Sequence, residues 1–146
     1  MNTRMNLRLP LFLLITIGLT WACSGKKEHS ESASSETTWA AMDAYHLIMA
    51  EAYHPLKDSA NLAPAKANAE ALAEEAEKWA ASTFPERVNT DEMMTRVENL
   101  KASTRAFADK VKAGASDEEL STALTALHEE FHHIMEAWEG GHSEHH

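Results

Sequence analysis

Residues 116–138 read SDEELSTALTALHEEFHHIMEAW, and the reading of this stretch decides the fold. Leu120, Leu124, Leu127, Phe131, Ile134 and Trp138 follow one another at alternating steps of four and three. An apolar row that recurs about every 3.5 residues belongs to a helix packed at a shallow angle along its neighbours. Ser116, followed three residues later by Glu119, predicts an N-cap with a returning carboxylate. Gly140-Gly141 predicts the end of the same helix.

Three further rows with the same spacing lie upstream. One holds Met93, Val97, Leu100, Thr104, Phe107 and Val111, and a second holds Ala65, Ala69, Leu72, Ala76 and Trp79. The first in chain order holds Trp39, Met42, His46, Met49, Tyr53 and Leu56. Pro64 suits a first helical turn, Phe84-Pro85 breaks the chain, Asn89 with Glu92 reads as another N-cap, and Gly114 reads as a stop. Pro55 removes a helical hydrogen bond and disfavours helix at His54, so the first helix is expected to end or kink near Tyr53. No segment alternates with period two over a useful length. The pattern predicts an all-α domain over residues 37–139, an antiparallel up-down-up-down four-helix bundle with short connections. In that arrangement Trp39, Trp79 and Trp138 share a terminal layer, with Met42 and Met135 three residues inward. His46 then lies level with Phe131 and His132, and His128 one turn beyond.

The flanks predict an address. Residues 1–22 carry Arg4 and Arg8 and then an apolar run from Leu9 to Ala22, which reads as a secretory leader. The run LTWAC places the only cysteine, Cys23, where a bacterial lipoprotein leader is cut and the cysteine acylated. Residues 23–36 read as a flexible tether, rich in Ser, Glu and Lys. These features predict an exported lipoprotein of the cell or outer membrane, facing the periplasm and anchored at Cys23. Without Arg4 and Arg8 the net charge of −10 becomes −12, which argues against nucleic acid as a partner and suits cations or basic partners. A lone cysteine also excludes an internal disulfide, a Cys-x-x-Cys site and covalent c-type haem within this sequence.

The chemistry-bearing residues are histidines and methionines. His128 and His132 stand one turn apart, the spacing at which two imidazoles chelate one ion. His46, at an expected core position, is read either as a satisfied core histidine or as a third ligand, with Met42, Met49 and Met135 nearby as thioether donors, although Tyr45, Ile48 and Ala52 offer a competing apolar face that would push His46 to the boundary. Imidazole with thioether suits copper, and imidazole alone suits zinc, nickel or cobalt. The same stretch matches H-E-x-x-H, but a zinc peptidase needs a third ligand downstream and a substrate-binding strand, and neither is predicted. Glu129 also points away from the His128–His132 face. The match is read as coincidental and the protein as a non-enzyme. Glu51-x-x-His54 and Glu129-x-x-His132 supply the di-iron pattern, but at different heights and with Glu51 outward. Residues 140–146 form a histidine-rich tail, with His142, His145 and His146, that is expected to be disordered.

An Ala-rich, acidic bundle with a Met early in helix one and a His late in helix four resembles the periplasmic cytochrome c-prime and soluble b-type cytochrome bundles. The resemblance implies a non-covalent haem b with Met42 and either His128 or His132 as axial ligands, serving electron transfer or gas binding. The layout is also similar to small periplasmic helical heavy-metal-binding proteins, which implies metal sensing, buffering or delivery. A ligand-free lipoprotein that binds another protein is the remaining reading.

Acylation at the single cysteine is tested directly. Cys23→Ser is expected to move the protein from the membrane fraction to the soluble fraction. Retention of the variant on salt-washed membranes overturns the anchor.

Overall fold

The computed structural model describes residues 38–140. The expected leader, tether and most of the histidine-rich tail, Cys23 included, lie outside the described residues. Within them the chain forms a bundle of four α-helices: α1 (Ala40–Ser59), α2 (Ala63–Ala80), α3 (Asp91–Lys112) and α4 (Asp117–Gly140). A short 3-10 turn, Glu86–Val88, tucks Val88 into the core between α2 and α3. No strand occurs among the described residues, and none of their helices is long and apolar enough to cross a membrane.

Three of the four apolar rows are buried as spaced. In α4 all six residues from Leu120 to Trp138 are buried. In α2 the row from Ala65 to Trp79 is buried, and Leu62 and Ala73 join it. In α3 Met93, Val97, Leu100, Thr104 and Phe107 are buried, while Val111 is half-buried. Capping follows the expected chemistry at α4, where Ser116 N–H donates to Glu119 Oε2 (3.0 Å) and Glu119 N–H donates to Ser116 Oγ (3.3 Å). At α3 the cap is Thr90 rather than Asn89: Thr90 Oγ1 accepts from Met93 N–H at 3.2 Å. The extra 3-10 turn carries the chain one residue further before the helix begins.

The first helix departs from expectation in two ways. Its buried face is Met42, Tyr45, Met49 and Ala52, so His46 is exposed and Tyr53 and Leu56 are half-buried. The core position expected for His46 is therefore wrong. Tyr45 can be wholly buried because its hydroxyl meets Thr104 Oγ1 at 3.1 Å. Thr104 spends its own proton on Leu100 O (2.7 Å), so the tyrosine is the donor. An imidazole there would need an equivalent partner. The second departure is that α1 continues through Pro55 to Ser59. Proline costs the helix the hydrogen bond to Glu51 O, but Glu51 is exposed and water can take that carbonyl.

Aromatic rings fix the register between helices. Trp39 at the start of α1 meets Trp79 near the end of α2 (5.2 Å between centroids) and Trp138 near the end of α4 (5.5 Å), as expected for the terminal layer. Arg87 lays its guanidinium 3.1 Å from the centroid of the Trp138 ring and closes that end of the bundle. Further along, Tyr45 meets Phe131 (5.5 Å) and Tyr53 meets His128 (3.7 Å). Partners on α4 thus descend in number as those on α1 ascend.

Two helix ends show the same left-handed residue with different side chains. Gly114 ends α3 at φ 73°, and Ala60 ends α1 at φ 52°. Ala60 N–H donates to Leu56 O (2.8 Å) and Asn61 N–H to Pro55 O (3.0 Å). The left-handed conformation costs a residue with a Cβ roughly 1–2 kcal/mol, which glycine avoids at the expense of unfolded-chain entropy. Ala60→Gly is expected to raise unfolding stability by about 0.5–1 kcal/mol in urea titrations. A loss of stability would show that the turn does not carry this strain.

Candidate functional site

His46, His128 and His132 lie along the seam between α1 and α4. Because Tyr45 turns inward, His46 emerges at the edge of the seam, where its ring lies 5.1 Å from that of Phe131. On α4, His128 and His132 are half-buried, and their ring centroids are 4.5 Å apart. Tyr53 stacks on His128 almost face to face, with 3.7 Å between centroids and 14° between planes. His54 follows Tyr53 in α1 and is exposed.

Electrostatics bind these residues into one group. The His128 imidazole is pulled down to a pKa of about 4, first by burial and then by the positive charges of His132, His54, Lys57 and His46. His128 is accordingly a neutral imidazole at neutral pH, the form that can donate a lone pair to a metal.

The expected ligands separate into two sets. His46, His128 and His132 border the same seam, while Met42 and Met49 are core residues with 6 % and 0 % exposure. Met135 is half-buried against the core. His133 and Glu129 are exposed, and His133 Nδ1 lies 3.5 Å from Glu136 Oε2. Among the described residues no three His, Cys, Asp or Glu side chains converge into a ready-made metal cage. The seam holds the His128–His132 pair with exposed His46 at its edge.

Glu51 and His54, weighed in the sequence as half of a di-iron pattern, are both exposed.

A concavity lies elsewhere. An open hollow of about 410 Å³ between α2 and α3 is lined by Glu77, Glu98, Lys101 and Arg105 with three alanines. Its charges are already matched, since Arg105 bridges Glu70 and Glu77 (2.7 and 2.8 Å) and Lys101 pairs with Glu98.

Comparison of the chain with protein-family models, with curated proteins and with solved structures found no match.

The lowered pKa makes stability depend on pH through His128. Between 6.5, the ordinary value, and about 4 the unfolded chain binds a proton that the folded chain does not. That stability is fully present above the upper limit and is lost as pH falls toward the lower one. Unfolding in urea should therefore weaken by about 1 kcal/mol more in the parent than in His128→Phe between pH 7 and 5, discounted for the part of the ring that water screens. Parallel losses in the two proteins would show that His128 is not held neutral by the fold.

Proposed function

We propose that this protein is an exported, lipid-anchored bundle, its helices alternating up-down-up-down, that binds a transition metal ion at the α1–α4 seam and serves sensing, buffering or delivery rather than catalysis. The observation that carries the reading is the His128–His132 pair one turn apart, its ring centroids 4.5 Å from each other, with His46 of α1 packed 5.1 Å from Phe131 at the edge of the same seam. Two imidazoles at this helical spacing chelate one ion, and His46 is the α1 imidazole at the edge of the seam. The alternation of helix directions is supported by the partner pairs Trp39–Trp79, Trp39–Trp138 and Ser103–Glu130.

The donors in reach are nitrogen atoms. The Met42 and Met49 thioethers are core packing, so the seam suits zinc, nickel, cobalt or cupric copper more than cuprous copper. Bound metal requires neutral imidazoles, so acid should release it.

Titration of the full chain with Zn²⁺ and Cu²⁺ tests the proposal. His128→Gln or His132→Gln is expected to weaken binding by roughly tenfold or more. Replacing His142, His145 and His146 with Ser should weaken it far less, and Glu129→Gln should leave it unchanged. Tight binding that survives both seam substitutions but is lost with the tail histidines overturns the seam as the site.

A further inference from the structure

We infer that Tyr53 is the positioning residue of the seam site: its ring, stacked on the His128 imidazole, fixes the plane of that imidazole and so the direction in which His128 offers its lone pair to an ion shared with His132. The inference rests on the reading of the seam as a metal site.

The same rotation of α1 that exposes His46 brings Tyr53 to this place. Seven residues separate the two, which sets them within about 20° of each other around α1 and about 10 Å apart along it. His46 lies beside Phe131, with 5.1 Å between ring centroids, and Tyr53 lies on His128, with 3.7 Å. Tyr53 is half-buried and packs against the core. Because α1 runs on through Pro55 to Ser59, Tyr53 stands inside the helix and not at a frayed end.

The stack acts on the one torsion that the helix leaves soft. The outer side-chain torsion of histidine has broad wells, so fixing the Cβ atom still lets the imidazole turn. A metal–nitrogen bond lies in the plane of the imidazole, and that plane therefore decides where the bond points. Tyr53 is within 14° of parallel to His128, so it covers one face of the imidazole and leaves the ring edge open. The ring of His132 stands 4.5 Å away, tilted by 56°. Turning His128 about its outer torsion would break the stack on Tyr53. A partner that orients a ligand without touching the metal spares the site part of the cost of ordering that ligand on binding. Tyr53 does so with a ring face where other sites use a hydrogen bond.

The test is Zn²⁺ competition against a chromophoric chelator, in the full chain with His142, His145 and His146 replaced by Ser, each variant being checked for folding by far-ultraviolet circular dichroism. Tyr53→Leu removes the ring and is expected to lower affinity about three- to tenfold. Should that variant not fold, Tyr53→Met takes its place. Tyr53→Phe keeps the ring and should bind within about twofold of the parent. In the His128→Gln background Tyr53→Leu should cost nothing further, because the residue it acts through is gone. A Phe variant that loses as much as the Leu variant would make the hydroxyl a ligand and overturn the positioning role. A Leu loss that persists undiminished without His128 overturns it too, since Tyr53 would then act through the fold at large. If Tyr53→Leu binds as the parent does while His128→Gln loses binding, the stack positions nothing and the seam site stands. Binding unchanged in every variant, His128→Gln included, overturns the positioning role and the seam site together.

Discussion

Tyr45 touches all three of the other helices. Its hydroxyl donates to Thr104 on α3, and its ring packs 5.5 Å from Trp79 on α2 and 5.5 Å from Phe131 on α4. A phenol buried this deeply is held above its usual pKa, chiefly by burial, and it needs the Thr104 oxygen to avoid an unpaired polar group in the core. That requirement fixes the rotation of α1 about its own axis. With Tyr45 inward, the next residue, His46, is turned about 100° away and comes out at the seam. Tyr53, eight residues on, comes round to within about 20° of His46 on the same side of α1, about two turns further along, and receives His128. The positions of the imidazoles follow from where one hydroxyl finds its partner.

The two long faces of the bundle are joined by different chemistry. Between α2 and α3 the outer edge is tied by Arg105 to Glu70 and Glu77, exposed ion pairs of small net worth. Between α1 and α4 the edge is made of rings, with Tyr53 on His128, His46 on Phe131 and His128 beside His132. Such a ring edge excludes water from His128 and gathers groups that repel one another when protonated. Both effects favour the neutral imidazole, so the state that packs best at the seam is the uncharged one.

The terminal layer shows how aromatic burial can outweigh an unpaired donor. The indole N–H groups of Trp39 and Trp79 are buried with no hydrogen-bond partner among the described residues. Each unpaired donor costs about 1–3 kcal/mol. Burying roughly 150–250 Å² of ring at about 25 cal/mol per Å² returns more than that. The layer thereby sets the relative heights of α1, α2 and α4, and with them the pairing of His46 with Phe131 and of Tyr53 with His128.

The sequence by itself determined the number of helices, their rough bounds, three of the four buried faces, the Ser116–Glu119 cap and the meeting of Trp39, Trp79 and Trp138. Those features are legible because apolar spacing and capping chemistry are local, and a regular row such as Leu120 to Trp138 has one face to bury. It also singled out His128 and His132, since residues four apart on a helix are neighbours in any fold. Only the tertiary structure decided the rotation of α1 and its length. Two apolar faces competed there, one through His46 and Tyr53 and the other through Tyr45 and Ala52, and their apolar content did not separate them. The choice fell to a hydroxyl on α3, fifty-nine residues from Tyr45 in the chain, which no local pattern could reveal. The same holds at Pro55: a local rule ended the helix there, whereas the packing of Tyr53 on His128 and the cap at Ala60 carry it on to Ser59.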